Sequence, residues 1–446
     1  MKKFIETLTN IWKIEDLRNR LWMTLLFVLI YRFGSFVVLP GIDTHTLTAL
    51  KSQTSGGLMG LLDMFSGGAF SNASIFALGI MPYISASIVI QLLTIAVPYF
   101  QKMQREGESG RRKMNQITRY LTVAILLLQG PSYLVNLNVQ IAQAGYAFPS
   151  GFWFSASSTL ILCAGSMFVM WLGERMTDKG IGNGISMIIM IGIIARFPSA
   201  VIQEFASRFG DTGGGVMFLM EIVALLIVIG LAIMLVQGTR KIPVQYAKRV
   251  VGNKQYGGVR QYIPLKVNAA GVMPIIFAQA IMFLPITLAG FANSETAGSF
   301  VRAFADITGF WYNFVFAVLI IVFTYFYTAI TVNPKQMAED MKRNNGFIPG
   351  IKPGKQTAEY LDLIMSRITL PGSFFLAFVA IMPAFASILG ISSEFAQFFG
   401  GTSLLILVGV VLDTLQQIES HLLMRHYDGL LKSGRIKGRA GNVAAY

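Results

Sequence analysis

Gly79-Ile80-Met81-Pro82 and its echo Gly271-Val272-Met273-Pro274 decide how this chain is organised. The first lies in the second of ten long apolar stretches, the other in the seventh. A pattern that returns five stretches later implies two sets of five. An odd number of crossings per set makes the second run through the membrane in the opposite sense, as in inverted-topology repeats. In each stretch the proline is about eight residues in. At about 1.5 Å per residue that is roughly 12 Å deep, close to the midplane, from opposite faces. Chance also produces four-residue likenesses in helices tolerant of Gly, Met and Pro, so the rest of the chain must carry the case.

A span needs about 20 mainly apolar residues to cross roughly 30 Å of hydrocarbon. The stretches that qualify are 21–39, 75–97, 120–139, 153–172, 181–202, 216–237, 267–288, 309–330, 368–387 and 402–420. Composition agrees. Of 446 residues, 54% are hydrophobic and 13% charged, against about 25% charged in soluble domains. An ordinary soluble enzyme is excluded, and 12% aromatic residues exclude a disordered chain. The single cysteine, Cys163, leaves no intrachain disulfide and no Cys-based metal site.

Charge sorts the connections. Thirty-one of the 36 Lys and Arg fall in the N-terminal segment, alternate loops and the C-terminal tail, and three in the intervening loops. Arg32 and Arg196 lie within spans. By the positive-inside rule both termini are cytoplasmic, and one span more or fewer would scramble the alternation. The chain therefore divides into an N-terminal cytoplasmic segment 1–20, a first five-helix half 21–202, a second half 203–420 and a cytoplasmic tail 421–446. The N-terminal segment reads as a short amphipathic surface helix and not a signal peptide. The expected fold is an all-α polytopic membrane protein.

Few ionisable residues lie in the spans: Arg32, Arg196, Glu221, Asp413 and Glu419. No chain of carboxylates and histidines crosses the middle, so an ion-coupled pump has little to work with. Gly350-Ile-Lys-Pro-Gly354-Lys355-Gln356 is one residue short of a phosphate-binding loop and has Gln where a hydroxyl is needed, so it reads as a turn. No enzymatic activity, cofactor or metal is expected.

Three patterns remain. Residues 58–73 hold the short apolar run Leu58–Phe65, with Leu61, Leu62 and Met64, among glycines and one charge, Asp63. The run is too short to span. It is either a re-entrant helix buried in protein or a helix lying on the outer surface. Ile80 and Ile84 stand one turn apart, as do Ile185 and Ile189; Ser85, Ser87, Gln91 and Asn183 nearby suggest a wet interior face. The loops 238–266 and 331–367 are long and basic, and the first has no acidic residue. Such a loop suits anionic lipids, structured RNA or a cytosolic protein.

Longer motifs resemble the SecY/Sec61-alpha family of translocase channel subunits. They are Ile75-Phe-Ala-Leu-Gly-Ile-Met-Pro-Tyr-Ile-Ser-Ala-Ser87 with Gln91, Glu106-Gly-Glu-Ser-Gly-Arg-Arg-Lys113, and Trp171-Leu-Gly-Glu-Arg-Met-Thr-Asp-Lys-Gly-Ile-Gly-Asn-Gly184. Pro264–Asn268, Gly346–Gly350, Pro353–Thr357 and Gly400–Ile406 extend the likeness over nearly the whole chain. The resemblance implies an hourglass channel of two halves opening like a clamshell. It places a hydrophobic pore ring on Ile80, Ile84, Ile185, Ile189, Ile276 and Ile406, and a plug on about 58–73. A lateral gate falls between spans two and three and spans seven and eight, with Gln91 and Asn183 in its polar cluster. Arg240, Lys241, Lys248, Arg249, Lys352 and Lys355 fall in docking loops. The implied partners are the small membrane subunits SecE and SecG, the SecA motor ATPase, the ribosome, signal peptides and unfolded preproteins. The implied location is the bacterial inner membrane. One departure is Lys352, where the family usually has Arg; lysine keeps the charge but loses the bidentate fork. A ten-span secondary transporter of small molecules and a ribosome-binding scaffold are the competing readings.

Overall fold

A helix lies on each of the ten apolar stretches. The computed structural model describes residues 12, 14–42, 60, 63–143, 151–211, 214–246, 249–251, 254–256, 260–289 and 309–432. The helices of the first half are α1 (Glu15–Gly34), α2 (Met81–Ala96), α3 (Pro98–Arg105), α4 (Glu108–Gln143), α5 (Phe152–Lys179) and α6 (Gly184–Asp211). Then come α7 (Gly215–Gln237), the strands β1 (Thr239–Tyr246), β2 (Arg249–Val251), β3 (Lys254–Tyr256) and β4 (Arg260–Lys266), and α8 (Met273–Ala289). Last are α9 (Phe310–Thr331), α10 (Pro334–Arg343), β5 (Gly346–Phe347), α11 (Lys355–Ile388), α12 (Ser393–Ala396) and α13 (Gly401–Lys432). Seven described helices are long and apolar enough to cross a membrane, or eight if α2 and α3, meeting at 101°, form one broken span. The helices that miss that criterion have physical reasons. α1 opens with Glu15, Asp16, Arg18 and Arg20, and α8 has only 17 residues.

The repeated motif corrects one expectation. The prolines do not sit inside helices; they start them. Residues 75–80 and 267–272 are not helical, and α2 and α8 each begin at the methionine with proline next. Gly79 and Gly271 take φ of +53° and +65°, a left-handed conformation that ends the preceding turn at no Cβ cost. Proline, with φ preset and no N–H to leave unpaired, then opens the helix. Both copies therefore carry non-helical backbone within an apolar stretch, which lipid tolerates only where protein or a cavity surrounds it.

Apolar residues from α1, α2, α5, α6, α7, α8, α11, α12 and α13 form one core cluster. A second joins α7, α8, α9, α11 and α13. The basic loops, which carried no secondary structure in the sequence reading, are one folded unit. β1 pairs antiparallel with β4 (Lys241↔Pro264, Pro243↔Tyr262) and on its other edge with β5 (Gln245↔Phe347). Ile242, Val244 and Leu265 pack under this sheet against Met341, Ile348, Leu361 and Met365. The alternation Ile242-x-Val244 and Ile263-x-Leu265 is the strand signal.

Candidate functional site

The six isoleucines come together. Ile80, Ile189 and Ile406 are buried in the central core cluster, and the half-buried Ile84, Ile185 and Ile276 pack against it. They arrive from α6, α8, α13 and the start of α2, so residues 326 positions apart in sequence share one apolar knot. Ile84, Ile189, Ile276 and Ile406 line one small cavity with Phe65, Ser85 and Gln279.

Residues 63–80 fill the space beside that knot. Asp63–Phe65 is helical and the chain then turns repeatedly up to Ile80. Met64 and Phe65 are 4% and 7% exposed and belong to the same cluster as the isoleucines, a burial that a helix lying on the membrane surface would not give. Leu58, Leu61 and Leu62 lie outside the described residues. The close approach rests on two facing glycines. A Cβ on Gly192 of α6 would stand 2.6 Å from the Phe65 carbonyl oxygen, and one on Gly67 2.9 Å from the Gly192 Cα. Gly67 and Gly68 also take φ of +65° and +89°, which side chains disfavour.

Polar groups from four helices hold the segment, α13 through the Ser403 hydroxyl 3.3 Å from the Met64 sulfur. The Tyr31 hydroxyl donates to the Ser66 carbonyl at 3.1 Å, and Tyr133 to that of Phe70 at 2.9 Å. Arg32 donates to the Gly67 carbonyl and lies 4.7 Å over the Phe36 ring. The Ser71 amide donates to Asp63 Oδ1 at 2.7 Å. Arg196 pairs with the Asp63 carboxylate and donates to Ser71 Oγ at 2.9 Å. The sequence exposed Arg32, Arg196 and Asp63 as unusual charges. Their partners were not readable, because each bond joins residues at least 35 positions apart except Ser71 to Asp63.

The two residues that the resemblance assigns to a gate are placed separately. Asn183 is exposed and its Oδ1 accepts the Ile185 amide at 3.1 Å, capping its own helix. Gln91 is half-buried on α2, and its Oε1 is buried without a hydrogen-bond partner. Gln279 on α8, which the sequence reading missed, is 4% exposed with Nε2 likewise unpartnered. Of the docking residues, Arg240 and Lys241 are exposed on β1. Lys352 and Lys355 are exposed in and after the Gly350–Gly354 turn, whose two glycines have φ of +87° and +107°. Arg249 begins β2, and Lys248 lies outside the described residues.

A polytopic helical protein whose helices meet on an apolar cluster, with a buried non-helical segment packed against it, belongs to the class of membrane channels. The SecY family model matches residues 74–415, and the chain belongs to the SecY family. It is 44% identical over 433 residues to the protein translocase subunit SecY of Streptomyces scabiei, covering 94% of this chain and 98% of that protein. It is 40% identical over 456 residues to that of Mycobacterium tuberculosis, covering 97% and 100%. The fold matches a solved protein-conducting channel at 17% identity and a TM-score of 0.61, covering 90% of this chain and 92% of the other. It matches Sec61 from a canine ribosome–channel complex at 16% identity and a TM-score of 0.57, covering 90% and 92%.

Proposed function

We propose that this chain is the channel-forming subunit of a bacterial preprotein translocase. It passes unfolded preproteins across the inner membrane and releases transmembrane segments sideways into lipid. The observation that carries the reading is the convergence of six isoleucines from four parts of the chain on the buried Met64 and Phe65. A ring of β-branched apolar side chains disfavours water and closes by dewetting. It offers no hydrogen bonds, so it is indifferent to the sequence that slides through. Hydrophobic segments leave between α2 and α8, gaining about 0.8 kcal/mol per buried CH₂. In this reading the chain crosses the membrane ten times in two inverted halves, 21–202 and 203–420, with both termini cytoplasmic. Residues 58–73 act as the plug, and Gln91 and Asn183 belong to the gate.

The chain holds no catalytic centre in this scheme, and the energy comes from partners. The sheet β4-β1-β5 merges both basic loops into one platform with Arg240, Lys241 and Lys352 exposed. We assign it to the ribosome and the SecA motor, with Lys248, Arg249 and Lys355 contributing and anionic lipids at its edge. SecE and SecG complete the complex. The small-molecule transporter reading finds no support in the family. Replacing Ile84 and Ile276 together with Ser should raise the ion conductance of the resting channel in planar bilayers several-fold. Conductance equal to wild type would remove the isoleucine cluster as the seal.

A further inference from the structure

We propose that Asp63 and Arg196 form a charge latch that fastens the plug to α6. The proposal rests on the plug reading above and adds what holds the plug shut. Asp63 is the one charged residue in positions 60–80, and it is 5% exposed. A carboxylate at that depth is stable only when paired and hydrogen-bonded. Here both conditions are met by one closed triangle. Arg196 pairs with the carboxylate, Arg196 Nη2 donates to Ser71 Oγ, and the Ser71 amide donates back to Asp63 Oδ1 at 2.7 Å. The two ends of the segment are thus tied to each other and to α6 by the same guanidinium.

The other fastenings differ in kind. Tyr31, Arg32 and Tyr133 donate to backbone carbonyls, which any sequence would present, and Ser403 meets the uncharged Met64 thioether. Only the Asp63–Arg196 pair depends on a side chain of the plug itself carrying charge. It also sits one turn beyond Gly192, the residue that admits the plug backbone. Shape and charge therefore act from the same face of α6. The latch is built to open, because Arg196 lines a cavity that also contains Glu394 from α12 of the second half. When the plug leaves, the guanidinium keeps a carboxylate within the same cavity while Asp63 moves towards water. Release then strands neither charge in the membrane, and the cost is that of parting the buried Asp63 from the partly buried Arg196.

The test uses the full-length chain in its purified complex, reconstituted into vesicles, with Cys163→Ser and the probe Asn72→Cys. Asn72 is half-exposed. Its reaction with a membrane-impermeant maleimide from outside reports plug position. Asp63→Asn and Arg196→Gln should each speed resting labelling about tenfold. The double variant should be no faster than either single one, because both remove the same interaction. Arg196→Lys keeps the charge but loses the planar fork, so its labelling rate should fall between wild type and Arg196→Gln. Should a charge variant fail to assemble, Ser71→Ala removes only one corner of the triangle and should give a smaller increase. Trapping a translocating chain should speed labelling of the wild type. If it does, while the charge variants label at the wild-type resting rate, the latch is wrong and the plug stands. If trapping changes nothing, the plug reading falls and the latch with it.

Discussion

Two seams join the helices α1–α6 to the helices α7–α13, and they are built differently. Along the α6 side the seam is pinned by polar groups at both ends. At one end the Gly182 amide donates to Gln417 Oε1 at 2.8 Å, and Thr414 of α13 lies 3.8 Å from the Met187 sulfur. At the other, Arg208 of α6 bonds Glu204 at 3.0 Å, Glu221 of α7 at 2.7 Å and the Gly390 carbonyl at 2.9 Å. Glu204 also accepts the Ser392 amide at 3.0 Å. Between α2 and α8, by contrast, no hydrogen bond or ion pair forms among the described residues. The two helices face a shared cavity through Ile84, Ser85, Ile276 and Gln279, and Gln91 Oε1 and Gln279 Nε2 are buried without partners. Polar pins with fixed geometry resist separation, whereas an apolar seam with unpartnered amides loses no hydrogen bond when it parts. In the proposed channel the pinned seam serves as the hinge and the apolar seam as the gate.

The sharpest way to break this contrast is to lock each seam in turn. With Cys163→Ser, a bis-maleimide bridge between Ile84→Cys and Ile276→Cys should abolish release of hydrophobic segments into lipid. A disulfide between Met187→Cys and Thr414→Cys should leave release and translocation near wild type. Crosslinked proteoliposomes assayed for insertion of a model transmembrane substrate decide it. Equal inhibition by both locks would erase the distinction between hinge and gate.

Removing a pin should cost stability without opening the seal. Glu204 and Glu221 are 1% and 7% exposed, so Arg208→Ala leaves two buried carboxylates beside each other without their cation. Breaking a buried pair in this way costs about 3–5 kcal/mol. The free energy of unfolding of the purified protein in mixed micelles should fall by that order. The Glu204→Gln, Glu221→Gln, Arg208→Gln triple variant should recover part of the loss, because no uncompensated charge remains.

The smallest expected effects have opposite signs on the two seams. Gln417→Leu takes the acceptor from the buried Gly182 amide and should destabilise by about 1 kcal/mol. Gln279→Leu replaces an unpartnered amide with an apolar group of similar size, so it should be neutral or slightly stabilising. It should also slow opening of the gate. The same unfolding assay, with single-channel opening rates for Gln279→Leu, measures both.

Composition and charge alternation were enough to give a helical membrane protein and the approximate position of every apolar stretch, because lipid forces the backbone to satisfy itself within each span. The Gly-x-Met-Pro repeat was legible as a repeat but not as a helix start. Glycine at positive φ and proline at the second helical position are local effects that hydropathy does not register. The isoleucines could be named from the resemblance, yet only the folded chain put Ile84 and Ile406 on one cavity. Partnerships across sequence were beyond reach for the same reason. Asp63 with Arg196, Arg208 with Glu221, and β1 with β5 join segments whose separation carries no periodicity. The sequence determined which residues cannot face lipid; the tertiary structure decided which of them face each other, because a buried charge or strand edge is satisfied only by geometry that the whole fold supplies.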